Sequence, residues 1–177
     1  MQSRRRPAPP LDHAALERLA LRYVERFATT RGRMSDYLRR KIKERGWAEE
    51  APADPDALAE RLAGLGYIDD RAFAETRATA MARRGLGARR VRDALRHARI
   101  GADDAEALAP EIDERGPEAA LAFAKRKRFG PYASARADRD LLSKQLAAMA
   151  RAGHGYELSR RILEMAPGAD VSPDELE

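Results

Sequence analysis

The chain has 177 residues, enough for one or two domains or a short array of small units. It has no cysteine, which excludes disulfides and thiolate chemistry, and no apolar run near the roughly 20 residues needed to cross a bilayer. Charged residues make up 36% of the chain and the net charge is +5, so the distribution of charge is more informative than its total.

Helix-forming residues dominate the composition, and β-branched residues are few. Ala, Leu, Arg and Glu are the common types, which predicts an all-α fold. Residues 1–10 are basic and proline-rich without a hydrophobic core, so they do not resemble a secretory signal. We therefore expect a disordered N-terminal tail and a cytoplasmic protein.

Two helices are predicted in the first part of the chain. Apolar residues recur at helical spacing from Asp12 to Ala28, which indicates an amphipathic helix. After a turn over residues 29–33, Ser35 is expected to cap a second helix that ends at Gly46. The outer side of this helix is basic, and a solvated face is the simplest interpretation.

A third helix is predicted after the linker at residues 51–56. Asp54 is expected to cap it and Pro55 to take its first position, where the missing N–H of proline costs nothing. Leucines at helical spacing continue this helix to Gly66.

The stretch over residues 67–100 predicts two helices joined by a glycine turn. Asp69 and Asp70 can accept the free backbone N–H groups of a first helical turn. Gly85 and Gly87 end this helix, because glycine adopts positive φ without a steric penalty. A second helix is predicted from near Ala88. Its apolar side carries Val91, Leu95 and Ala98.

The second of these helices is rich in arginine. The interval from Arg83 to Arg99 holds seven arginines and one acid, Asp93. An apolar stripe is expected to pack one side of this helix against the core, so most of the arginines face solvent. Because Asp93 alone cannot neutralise seven cations, the run predicts a surface that binds an anionic partner. That partner is nucleic acid phosphate or an acidic protein surface. The candidate partner-binding residues are Arg83, Arg84, Arg89, Arg90, Arg92, Arg96 and Arg99.

The last part of the chain begins acidic and becomes basic. Residues 101–118 hold seven acids and one base, and predict a short helix with a bend near residues 116–117. The next helix ends in the basic run 125–128, which the helix dipole favours at a C-terminus. Asp138 is expected to cap the following helix, and the acidic end from residue 170 is expected to be mobile.

Two segments share six of nine residues: residues 79–87 read TAMARRGLG and residues 147–155 read AAMARAGHG. Each copy ends one helix and precedes a glycine turn and a final helix. Small helical units must stack or share cores, so we expect an elongated array of three tandem three-helix repeats. Their predicted bounds are residues 11–50, 54–101 and 103–166, with tails at 1–10 and 167–177.

No catalytic constellation is evident in the sequence. His13, His97 and His154 are far apart, and none has the spacing of a metal-ligand pair. Helix capping explains Asp69 and Asp70 with fewer assumptions than a metal site or an acid–base pair. We therefore expect no enzymatic activity, no cofactor and no metal.

The central motifs resemble those of the RecX family of recombination regulators. The matching residues are Gly66-Tyr67-Ile68-Asp69-Asp70, Phe73-Ala74, Arg83-Arg84-Gly85-Leu86-Gly87 and the helix with Val91 and Leu95. The likeness covers about residues 11–166. In the third unit, His154 stands where an aromatic residue usually follows the first glycine of the turn.

This resemblance implies three helical repeats and a protein that binds the RecA recombinase, chiefly its filament on single-stranded DNA. Such regulators lodge in the filament groove, block extension or promote disassembly, and inhibit ATP hydrolysis, strand exchange and coprotease activity. The resemblance makes Asp69, Asp70, Phe73, Gly85 and Gly87 structural positions, whereas the arginine contacts are our own inference. We expect a monomer.

The alternative is a general nucleic-acid-binding protein with repeated helix-turn-helix units. In such a motif Arg89, Arg90 and Arg92 would lie early in the second helix. The helix has no Asn or Gln to read bases, and aromatic residues do not interleave with it, so sequence-specific reading and base stacking are not indicated. Weak direct DNA binding is compatible with either function.

Overall fold

A computed structural model describes residues 9–176 of the chain. Within that range the regular structure is ten α-helices, two short 3-10 helices and one isolated parallel bridge between Leu11 and Trp47. The all-α prediction is confirmed. The predicted disordered tail lies, except for its last two residues, outside the described residues.

The helices follow one another through short connections. The first five are α1 (His13–Val24), α2 (Arg31–Arg45), α3 (Pro55–Gly64), α4 (Asp70–Arg83) and α5 (Ala88–His97). The next five are α6 (Ala102–Ala107), α7 (Ala109–Glu114), α8 (Gly116–Lys127), α9 (Arg139–Ala152) and α10 (Tyr156–Glu164). The 3-10 helices are Gly130–Tyr132 and Pro173–Leu176.

The described chain divides into two compact units. The first unit comprises residues 9–73 with 98–101, and the second comprises residues 74–97 with 102–176. The division into three repeats stays a prediction. No helix in residues 9–176 has the length and apolar character required to cross a membrane.

The first unit is built on α1, α2 and α3, with α2 packed against both of the others. Asp12 caps α1 by accepting from the backbone N–H of Ala15 at 2.6 Å. Asp54 caps α3 by accepting from Ala57 at 2.9 Å, with Pro55 at the first helical position, as predicted. The buried core comprises Leu11, Leu16, Ala20, Met34, Leu38, Leu58, Ala59, Leu62 and Ile68.

The predicted start of α2 was wrong. Thr30, not Ser35, caps the helix: its Oγ1 accepts from the N–H of Arg33 at 3.2 Å. Thr30 is buried and also donates to the carbonyl of Ala98, a contact between residues distant in sequence that no local pattern indicates. Ser35 instead lies buried inside α2, with its Oγ 3.5 Å from the carbonyl of Pro55.

The two aspartates at the start of α4 have different roles. Asp69 is a cap, because its Oδ1 accepts from the N–H of Ala72 at 2.8 Å. Asp70 is buried, and its two oxygens accept from Arg31 N at 2.9 Å and Arg31 Nε at 3.1 Å. The hydrogen bond to Asp70 raises the pKa of the Arg31 guanidinium. Asp70 therefore joins the start of α4 to the start of α2 within the first unit.

The second unit has its core around α8, α9 and α10. The acidic end of the chain also contributes, because Leu176 is buried in this core and Arg161 donates to the carbonyls of Leu176 at 3.0 Å and Glu175 at 2.6 Å. The expectation of a mobile C-terminal end was therefore wrong for residues 170–176. The end of the chain is held in place because the apolar side chain of Leu176 packs into this core, although its neighbours in sequence are acidic.

Candidate functional site

The seven candidate arginines fall into both units. Arg99 belongs to the first unit, where its Nε donates to Asp36 Oδ2 at 3.0 Å. The other six lie in the second unit, at or just after the end of α4 and along α5. The buried side of α5 carries Val91 and Leu95, as predicted, and it packs against α7.

Carboxylates oppose more of the arginines than the sequence indicated. Arg92 Nη2 donates to both oxygens of Asp113, at 2.7 and 2.6 Å, and Arg96 pairs with Asp93. Asp113 comes from the acidic stretch before α8. The premise that Asp93 is the one acid available was therefore wrong, because it counted only charges within the same interval.

The remaining arginines are of two kinds. Arg89 Nη2 donates to the carbonyl of Ala150 at 2.6 Å, so it satisfies an acceptor in the last turn of α9. Arg83, Arg84 and Arg90 are exposed, and their side chains form no ion pair within residues 9–176. These three guanidinium groups are the ones most available to an external anion.

The two copies of the sequence repeat pack against each other through their glycine turns. Gly87 N donates to the carbonyl of Ala152 at 2.9 Å, and Arg89 N donates to the carbonyl of Gly153 at 3.3 Å. A Cβ on Gly87 would overlap the backbone of Gly153, and one on Gly153 would lie 2.6 Å from Arg90 N. Both turns therefore need glycine because two backbones meet there.

A second basic run lies beside the first glycine turn. Arg126, in the last turn of α8, donates to the carbonyl of Arg84, and a Cβ on Gly85 would lie 2.8 Å from Phe123 N. The run at residues 125–128 was interpreted as helix-end stabilisation, and nothing in the sequence signals its proximity to Arg84. We call the exposed side chains without an ion pair here the cationic cluster: Arg83, Arg84, Arg90, Lys125, Lys127 and Arg128.

An open groove of about 590 Å³ lies beside the paired turns, entirely within the second unit. Its lining includes Arg89, the Arg92–Asp113 ion pair, Leu158 and Tyr156. Tyr156 is 63% exposed. No aromatic residue interleaves with the basic stretch in sequence, but the fold brings Tyr156, at the start of α10, to the same groove as Arg89.

His154 lies buried between the two turns. It is 7% exposed, its Nε2 donates to the carbonyl of Gly85 at 3.1 Å, and its ring centroid is 5.6 Å from that of Phe123. Its Nδ1 has no hydrogen-bond partner among the described residues. Burial lowers the pKa of His154, because a charged imidazolium would lose its hydration there.

Stability is expected to depend on pH through His154. Below the ordinary pKa of 6.5, the unfolded chain takes up a proton that the folded imidazole resists, so the free energy of unfolding falls as the pH falls. The decrease stops once the folded imidazole also becomes protonated. Urea unfolding from pH 8 to pH 5 measures this slope, and His154→Phe is expected to flatten it.

The matched control is His97→Gln, which changes an exposed histidine and keeps the buried one. It is expected to keep the slope that His154 produces. Equal slopes for wild type and His154→Phe would show that this imidazole titrates alike in both states.

No cluster of three or more metal-ligating side chains occurs within residues 9–176. The histidines considered from the sequence have other neighbours. His13 pairs with Glu49, and His97 Nδ1 lies 2.7 Å from the carbonyl of Asp93.

A regulatory protein RecX from Myxococcus xanthus is 31% identical to the chain over 163 residues, which cover 86% of each sequence. The chain belongs to the RecX family. A regulatory protein RecX from Agrobacterium fabrum is 28% identical over 157 residues, covering 86% of this chain and 81% of that one. No family model matches the chain.

The crystal structure of RecX from Lactobacillus salivarius has the same fold. It superimposes with a TM-score of 0.65 over 85% of this chain and 94% of that one, at 21% identity. The family assignment confirms the resemblance carried by the central motifs. The arginine contacts stay a prediction.

Proposed function

We propose that this RecX family member binds the RecA filament on single-stranded DNA and inhibits its ATPase, strand-exchange and coprotease activities. Family membership supports this function, since the relatives are named regulatory proteins. The observation that carries the proposal in the structure is the cationic cluster, which presents positive charge that no carboxylate of the described chain neutralises. The protein would act in the cytoplasm as a monomer, without a cofactor or a catalytic step.

The seven candidate arginines would contribute unequally to this interaction. Arg83, Arg84 and Arg90 can meet an anionic partner without breaking an internal ion pair. Three others must break an internal ion pair before they can contact the partner: Arg92, Arg96 and Arg99. Arg89 must break its hydrogen bond to a backbone carbonyl. An exposed pair contributes at most about 1 kcal/mol, so such an exchange changes the net affinity little.

RecA ATP hydrolysis on single-stranded DNA tests the proposed function. The protein is titrated well below the RecA concentration, and inhibition at such ratios is expected, because a regulator of filament growth acts on many protomers. Inhibition that begins only when the protein coats the DNA would contradict the proposal and would favour plain nucleic-acid binding.

Reversing the charge at Arg83, Arg84 and Arg90 to glutamate is expected to weaken inhibition about tenfold or more. Each substitution replaces an attraction to the anionic partner by a repulsion. The fold is expected to persist, because these side chains are exposed and form no ion pair. The measurement is the concentration for half-inhibition of RecA ATPase, with circular dichroism to verify folding.

The control variant reverses the same number of charges on and just after α1, at Arg18, Arg22 and Arg26. These residues are exposed and lie in the first unit. The control separates a decrease in net charge from removal of the cationic cluster. Equal weakening by both triple variants would refute a specific role for the cluster.

A further inference from the structure

We propose that the C-terminal segment over residues 168–176 is an autoinhibitory strap, whose carboxylates lower the affinity of the cationic cluster for anionic partners. Its 3-10 helix, Pro173–Leu176, packs against α8, the helix whose last turn carries part of the cluster. The inference rests on the proposed function, because it concerns the regulation of the same surface.

The strap is fixed at its start beside the basic end of α8. Gly168 N donates to the carbonyl of Pro131 at 2.8 Å, and Pro131 follows Arg128 of the cationic cluster by three residues. A Cβ on Gly130 would overlap the carbonyl oxygen of Ile162. The end of α10, from which the strap continues, therefore packs closely on the turn that follows the basic run.

The end of the strap is fixed by an apolar anchor and by two hydrogen bonds to its backbone. The side chain of Leu176 is 4% exposed and lies in the core of the second unit. Arg161 of α10 donates to the carbonyls of Leu176 at 3.0 Å and Glu175 at 2.6 Å. Because the guanidinium of Arg161 binds backbone oxygens, the docking of the strap does not use its carboxylates.

The docked strap presents acids without a base. Asp170, Asp174 and Glu175 are exposed, and their side chains form no ion pair within residues 9–176. The strap contains no lysine or arginine. Unpaired acids and the unpaired cations of α8 are thus held on neighbouring elements of the second unit. Exposed charges influence one another over about 10 Å at 0.1 M salt, so the two fields oppose each other in part.

An anionic partner that approaches the cationic cluster is also repelled by the strap. Repulsion between like charges makes the bound state less favourable than the cluster alone would make it. The strap is a terminal segment, and most of residues 169–175 are exposed. It can therefore detach from α8 and α10 without unfolding either helix, and its release would remove the inhibition.

Neutralising the strap while keeping it docked tests the proposal. The variant combines Asp170→Asn, Asp174→Asn and Glu175→Gln, and it retains Leu176 and both carbonyls that accept from Arg161. Its affinity for fluorescently labelled heparin, used as a polyanion probe, is expected to exceed that of wild type about threefold or more near 50 mM salt. This gain is expected to shrink as the salt concentration rises, because salt screens the strap.

The matched control neutralises three exposed acids on other elements: Glu25→Gln, Glu50→Gln and Glu106→Gln. These residues lie at the end of α1, in the connection between α2 and α3, and on α6, and their side chains form no ion pair within residues 9–176. The net charge changes by the same amount, but affinity for heparin is expected to stay close to that of wild type.

Leu176→Ser tests whether the docked position of the strap matters. This variant removes the apolar anchor and leaves the net charge unchanged. Affinity for heparin is expected to rise, because the released carboxylates spread into solvent away from α8. Circular dichroism verifies that the helices persist.

Three results would overturn the proposal: a neutralised strap that binds heparin like wild type, a control variant that gains as much as the neutralised strap, or a folded Leu176→Ser that binds like wild type. None of these measurements involves RecA. The regulatory function is decided separately by the RecA ATPase titration, so a wild-type protein that fails to inhibit RecA would refute that function and leave the heparin results unchanged.

Discussion

Gly153→Ala is expected to lower the free energy of unfolding by about 2–5 kcal/mol. Gly153 has a φ of +96°, a conformation that costs a residue with a Cβ roughly 1–2 kcal/mol. The new methyl group would also lie 2.6 Å from Arg90 N and 2.7 Å from Arg90 Cγ. The backbone of α5 cannot retreat without breaking the hydrogen bond from Arg89 N to the Gly153 carbonyl.

The matched control is Gly155→Ala, two residues further along the same turn. Gly155 has a φ of −67°, and a methyl group at this position would have no heavy atom within 4 Å outside its chain neighbours and its own helix backbone. Its expected effect is within about 0.5 kcal/mol. Urea unfolding monitored by circular dichroism measures both variants. Similar stabilities for the two would mean that the turns do not pack closely in solution.

Asp70→Ala is expected to destabilise the first unit by about 2–4 kcal/mol. The carboxylate is 6% exposed and accepts from both the backbone and the side chain of Arg31. Its removal leaves a part-buried backbone N–H without its acceptor and removes a carboxylate that pairs with the guanidinium at 3.1 Å. The destabilisation falls in the lower half of this range if the guanidinium of Arg31, which is partly exposed, rotates into solvent.

Asp69→Ala is the comparison, because Asp69 is an exposed cap at the same helix start. Removing such a cap costs about 1 kcal/mol. The ratio of the two effects is measured by chemical denaturation of both variants under the same conditions. If Asp70→Ala cost no more than Asp69→Ala, Asp70 would be an ordinary cap, as its place in the sequence alone predicted.

The positions of most helices followed from local chemistry. Asp54 and Asp138 each cap the helix predicted after them, because an N-cap acts on N–H groups only two or three residues away. The glycine turn after α4 and the buried stripe of α5 followed from equally local patterns. The family likeness also rested on short motifs in this region.

The candidate site was predictable only in part. The sequence located the arginine-rich helix, but it could not show that Asp113 opposes Arg92 across 21 residues. It also could not show that Tyr156 reaches the same groove or that the basic end of α8 meets Arg84. These contacts depend on how helices pack, which periodicity within one helix does not specify.

The sequence by itself determined the all-α class, the caps and breaks that bound most helices, and the concentration of arginine on α5. The tertiary structure alone decided which of those arginines are free, why Asp70 is buried, and how the two repeat copies meet through Gly87 and Gly153. The physical reason is the distance along the chain over which each kind of interaction acts. Capping and periodicity act within one or two helical turns, whereas ion pairs and backbone packing join residues such as Gly85 and His154, which are 69 positions apart.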